Sequence, residues 1–217
     1  MKKLTLGVAI WIYVVGAFSQ GTVRFDNDIP GTVITHVYGP DPANPLSYKA
    51  GFGSNDFNLA TGGGGNLNWA GEPLAGSNFS AQIYAAGGAD APLASLRPAS
   101  PVTSFRTGSG AGFFVATIAT LAGVPLDAPV ATLQVRIWDN EGGTVTSWEN
   151  AIAFGKSSAF GQSPLFNLSS IGGGLNAPQG LIGLQSFNIT SIPEPSPIAL
   201  VGLGTLVSLA LARRRKT

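Results

Sequence analysis

The chain has 217 residues, with twelve Lys and Arg against eleven Asp and Glu, one His and no Cys. The absent cysteine excludes disulfides, thiolate nucleophiles and Cys-based metal sites, and a lone histidine excludes a His-rich zinc centre. Half of the cations sit at the two ends, so residues 20–192 hold six cations against ten acids, a net of −4; that balance leaves no basic stripe for phosphates and excludes nucleic-acid partners.

Lys2 and Lys3 precede an apolar stretch from Leu4 to Phe18, and Ala17 and Ser19 stand at the −3 and −1 positions of a cut after Ser19. This is the layout of a secretory signal peptide over residues 1–19, a substrate of the secretion translocon. Trp11 to Val15 are apolar all round, without the polar face that a surface helix turns to water.

Residues 20–190 read as one β-domain. Thirty glycines, about double the usual share of roughly 7%, cluster between short apolar runs and mark turns. Thr22–Phe25 alternates and stops at Asp26-Asn27-Asp28. Thr32–Tyr38 is β-branched and aromatic and predicts a single strand, ended by Gly39-Pro40. A long loop from Asp41 to about Leu74 carries the tetraglycine Gly62–Gly65. Phe79–Tyr84 follows as a strand, and Thr103–Arg106 with Gly112–Ile118 predict a hairpin around a Gly-Ser tip. Ala131–Trp138 is the clearest strand, with Leu133, Val135 and Ile137 on one face and Thr132, Gln134, Arg136 and Trp138 on the other. After the Asp139–Gly143 turn, Thr144–Trp148 reads as strand, and Ser147–Phe154 as a short helix with Gly155 as its cap. Ser163–Leu168 and Leu184–Ile189 close the set. Eight or so short strands with frequent turns predict a single β-sandwich, jelly-roll or immunoglobulin-like.

The last segment, 191–217, is built differently. Pro193-Glu194-Pro195 holds the chain extended. An apolar run from Ile198 to Ala212 follows, and Arg213, Arg214, Arg215 and Lys216 end it. Fifteen apolar residues span about 22 Å as a helix, short of a bilayer core of about 30 Å, and residues 197–212 with snorkelling arginines make up the difference. The cations favour the cytoplasmic side and set the rest of the chain outside.

Pro-Glu-Pro, a hydrophobic helix and an Arg-rich end, in that order behind a signal peptide, resemble the PEP-CTERM sorting signal of Gram-negative bacteria. The resemblance implies an exosortase-type processing protease that cuts near Pro193-Glu194-Pro195. It also implies a transient inner-membrane intermediate with its N-terminus outside and C-terminus cytoplasmic, then a cell-surface or extracellular product. Gly21–Phe25, Ser80–Tyr84 and Gln134–Glu149 further resemble segments of secreted PEP-CTERM proteins of verrucomicrobial type.

No catalytic residue is marked. His36 reads as a satisfied strand histidine, because no Gly-x-Ser-x-Gly nucleophile accompanies it. Asp26-Asn27-Asp28 and Asp139-Asn140-Glu141 offer oxygens to a structural Ca²⁺ joining two loops, although turn chemistry accounts for both and no cofactor is expected. Trp138 and Trp148 read as core; Trp69, in a Gly/Asn loop, is the candidate for stacking on a sugar ring. Asn78, Asn167 and Asn188 begin glycosylation sequons that read as chance. The expected function is structural or adhesive at the surface or in the extracellular matrix, with exopolysaccharide as the contact. The alternatives are a carbohydrate-binding module or carbohydrate-active enzyme on the same sandwich, or a permanently anchored membrane protein.

Overall fold

The computed structural model describes residues 19–153 and 157–191. Ala17 and the signal peptide, Gly155, Pro193-Glu194-Pro195, the apolar run and Arg213 to Lys216 lie outside the described residues. Among the described residues no helix is long and apolar enough to cross a membrane.

The strands, in chain order, are β1 (Gln20–Phe25), β2 (Asp28–Ile29), β3 (Val33–Ile34), β4 (Val37–Tyr38), β5 (Ala50–Gly51), β6 (Phe57–Asn58) and β7 (Phe79–Gly87). They continue as β8 (Arg97–Pro98), β9 (Thr117–Pro125), β10 (Val130–Asp139), β11 (Ala159–Gln162), β12 (Phe166–Ser169), β13 (Ser186–Asn188) and β14 (Thr190–Ser191). A single α-helix among the described residues, α1 (Trp148–Ile152), starts at Ser147, whose side chain accepts from the Asn150 N–H at 3.3 Å. The chain is nearly all β, as its turn-rich alternation predicts.

β10 is the centre of a six-stranded sheet ordered β14-β11-β10-β7-β8, with β12 also on β10. β7 pairs along one edge of β10 from Ala131↔Gly87 to Asp139↔Phe79, and β11 and β12 share the other edge. Ser163 bridges the gap between those two: its hydroxyl oxygen accepts from Val135 N–H and its own N–H donates to Val135 O at 2.8 Å. The inward faces of β7 (Ala81, Ile83, Ala85) and β10 (Leu133, Val135, Ile137) pack on Val23 and Phe25 of β1 and on Ala119 and Leu121 of β9, all fully buried. Each of the larger side chains contributes about 1.5–3 kcal/mol by leaving water.

The second layer is not one regular sheet. It consists of the β1-β9 ribbon and two three-stranded pieces, β4-β13-β5 and β2-β3-β6. Here the single strand expected over Thr32–Tyr38 is corrected to two, in different sheets. Thr35 leaves the ladder and His36 keeps only its carbonyl in it, on Phe187 N–H, because other groups take the rest of their backbone: Asn27 O accepts from Thr35 N–H, the Asn27 amide donates to Thr35 O, and Ser186 Oγ accepts from His36 N–H at 2.7 Å. Thr144–Ser147 is likewise loop, not strand; Val145 N–H turns back to Asn140 O and Val145 O accepts from Trp138 Nε1 at 2.9 Å. The Thr103–Ile118 hairpin survives only as a Phe105↔Phe114 bridge, and the regular strand begins at Thr117.

Trp138, on the outer face of β10, is fully covered by Trp148, Val145 and Ala151. The big sheet is therefore buried on both sides around α1, and both tryptophans fill core as expected.

Candidate functional site

The Gly/Asn loop before β7 builds a small polar cup. A β-carbon on Gly64 would collide with the Asp56 carbonyl oxygen, and one on Gly65 with that of Phe52, so only glycine lets residues 64–69 lie against 52–56. Gly65 N–H then donates to Gly53 O and Leu67 N–H to Phe52 O, both at 3.0 Å. Tyr38, Gly53, Ser54, Asn55, Asp56, Leu67, Asn68 and Trp69 enclose a cup of about 210 Å³.

Asp56 is its anchor. Its carboxylate is 1% exposed. One oxygen meets His36 Nδ1 at 2.8 Å; the other accepts from Ser186 Oγ at 2.8 Å and from Gly53 N–H at 2.5 Å. His36 is thus a satisfied histidine, as expected, but it sits between β3 and β4 and its ring packs on Phe113 at 4.3 Å. Ser186 bonds the carboxylate and the His36 backbone, so Ser186, His36 and Asp56 do not form a nucleophile–base relay.

Trp69 is half-buried and lies flat on Tyr38, centroids 4.6 Å apart and planes 10° from parallel. Its Nε1–H is buried without a hydrogen-bond partner among the described residues. A β-carbon on Gly53 would sit 3.1 Å from that nitrogen, 3.2 Å from Leu67 O and 3.3 Å from Asp56 Oδ2. Burial, and then the Asp56 charge, push the Tyr38 hydroxyl up to about 12, so it stays a protonated donor. Ser54, Asn55 and Asn68 are exposed, and among the described residues their side chains spend no hydrogen bond on protein.

The other polar groups singled out in the sequence hold structure. Asp26 pairs with Arg24 and Arg106, at 2.8 and 2.9 Å, and Asp28 with Arg106 at 2.7 Å. Fully buried Asn27 bonds Thr35 O, Gly112 O and Phe114 N–H. Asp139 and Glu141 accept from Ser158, and Asn140 caps Gly143. Among the described residues no three His, Asp or Glu side chains converge as a metal site would require. Asn188 is buried and holds Lys49 N–H and Ser47 O, fixing the loop before β5.

A larger, mostly apolar groove of about 650 Å³ lies over β10 and β11, between exposed Leu46 and Tyr48 on one side and Trp148 and Phe160 on the other. Tyr48 donates to Gln162 O at 3.0 Å, and burial pushes its hydroxyl up to about 12. Beside the groove the Arg136 guanidinium stacks 3.8 Å over the Tyr84 ring, and burial lowers its pKa. Tyr84 in turn donates to Glu149 at 2.8 Å. Among the described residues lining this groove there is no carboxylate.

Of the residues the sequence marks, only Trp69 lies in the cup. Tyr38, Asp56, Asn55 and Asn68 escape a linear reading, although Asn55-Asp56 and Asn68-Trp69 flank the tetraglycine that folds them together. Ser19 is exposed, just before β1.

β14 ends at Ser191, on the edge of the big sheet. Residues 191–216 match the PEP-CTERM protein-sorting motif, which contains Pro193, Glu194, Pro195 and the Arg213–Lys216 cluster. The motif implies export, sorting to the cell surface and processing by an exosortase-type system. Comparisons with curated proteins and with solved structures find no match.

Proposed function

We propose that the protein is a non-catalytic structural or adhesive component of the cell surface or extracellular matrix. The signal peptide over 1–19 delivers it to the translocon. The apolar helix over 197–212 holds it in the inner membrane with its C-terminus cytoplasmic, and cutting near Pro193-Glu194-Pro195 releases the β-domain. The observation that carries this reading is the sorting motif beginning where the last strand ends, at residue 191. The whole domain precedes the motif and travels as cargo. The non-catalytic reading is supported by the way the acids are spent: Asp26, Asp28, Asp56, Asp127, Asp139 and Glu149 each hold arginine, histidine, tyrosine, serine or backbone groups. Two free carboxylates facing across a cleft, as glycoside hydrolysis needs, are not found among the described residues of the cup or groove.

Intact-mass measurement on the exported protein tests the route. The expected species begins after Ser19 and ends near Pro193-Glu194-Pro195; replacing those three residues by alanine leaves the uncut tail on the membrane. An uncut chain in the wild type would favour the permanently anchored protein. A chain retained in the cytoplasm would overturn the proposal. For the adhesive role, deleting the protein should reduce cell aggregation, and unchanged aggregation counts against it.

A further inference from the structure

The cup around Trp69 has the chemistry of a site for an uncharged ligand. Asp56 already spends three of its roughly four acceptor positions on His36, Ser186 and Gly53, and no second carboxylate stands among the described lining residues to share a metal ion. Among the described lining residues no Lys or Arg faces an anion. What remains unspent among the described residues is a set of neutral groups: the Tyr38 hydroxyl and the exposed amides and hydroxyl of Asn55, Asn68 and Ser54, beside the half-buried Trp69 ring. Tyr38 fixes the indole plane by stacking, and the Asp56 hub fixes the loop opposite. Binding therefore orders little that is not already ordered. A volume of about 210 Å³ suits one sugar ring, below the roughly 300–1,000 Å³ of drug-sized sites.

We propose that this cup binds a single neutral sugar residue of a polysaccharide, with the Trp69 indole giving apolar contact and Asn55 and Asn68 bonding the hydroxyls at the mouth. The proposal rests on the reading of the protein as an exported surface component, and it supplies that component with its contact. The sorting route is tested by mass alone and the sugar by binding alone, so the two fail separately.

The test is affinity electrophoresis of the full chain in mild detergent through gels containing dextran, mannan or mixed-linkage β-glucan, with alginate as the acidic comparison. At least one neutral polymer should retard the protein, equally with and without EDTA. Trp69→Phe, which keeps a smaller ring, should weaken retardation less than Trp69→Ala does. Trp69→Ala should lower it by about tenfold or more. Asn68→Ala, at an exposed position, keeps the test decisive if the tryptophan variants lose their near-ultraviolet circular dichroism. Retardation by alginate alone, dependence on EDTA, no retardation by any neutral polymer, or parental retardation in both Trp69→Ala and Asn68→Ala would each overturn the proposal.

Discussion

Removing the Asp56 carboxylate should cost more than replacing it by its amide, and the geometry sets the size of the gap. Asp56→Ala strips acceptors from Gly53 N–H, Ser186 Oγ–H and His36 Nδ1. The three do not suffer equally. His36 is 17% exposed and reaches water, and the fully buried Ser186 Oγ keeps its bond from the His36 N–H. Gly53 N–H is buried and fixed, so it bears a full penalty. One orphaned buried donor at about 1–3 kcal/mol, plus partial losses at the other two, puts Asp56→Ala near 3 kcal/mol. Asp56→Asn keeps an oxygen for Gly53 and Ser186 and turns its NH₂ toward His36 Nδ1. Its cost should stay near 1 kcal/mol. Urea unfolding of the exported protein, followed by tryptophan fluorescence, measures both from the shift in midpoint at constant slope. A loss below 1 kcal/mol in Asp56→Ala, or equal losses in the two variants, would refute the view that this carboxylate organises the loop.

Within the tetraglycine, Gly63 has open space around a β-carbon, whereas Gly64 faces the Asp56 carbonyl; in urea unfolding Gly63→Ala should leave the stability within about 0.5 kcal/mol and Gly64→Ala should lower it by about 2 kcal/mol. Asp127 is held below the ordinary carboxyl value of 3.8 by the N–H groups of Leu175, Asn176 and Gly174. The unfolded chain therefore binds more protons as pH falls through that range, so this stabilisation is complete above about pH 4 and fades below it. Asp127→Asn should flatten the acid limb of the stability–pH curve and speed amide exchange at Gly174–Asn176; an unchanged acid limb would count against the assignment.

The long strands and their inward faces are legible because their hydrogen bonds are local to the ladder and their side chains alternate. Leu133, Val135 and Ile137 point inward as the alternation of β10 demands, and the helix near Trp148 announces itself through Ser147. β9 shows how a weak signal hides a real strand: Thr117–Pro125 mixes small residues with Ile118, Leu121 and Val124 and is interrupted at Gly123, which carries positive φ. Loop 41–74 is harder still, because outside the two-residue strands β5 and β6 the buried side chains of Asp56, Asn58 and Asn188 hold its backbone at Gly53, Ala60, Ser47 and Lys49. Such partners lie far along the chain: Asn58 reaches Leu184 O across 126 residues.

The amino-acid sequence alone determined the all-β class, the absence of cysteine chemistry and the sorting motif over residues 191–216, since all three rest on composition or on contiguous residues. The cup was decided by tertiary structure. Tyr38, Asp56 and Trp69 meet only because glycines admit one backbone against another and a buried carboxylate holds the fold there. Neither the approach nor the burial has any one-dimensional pattern to read.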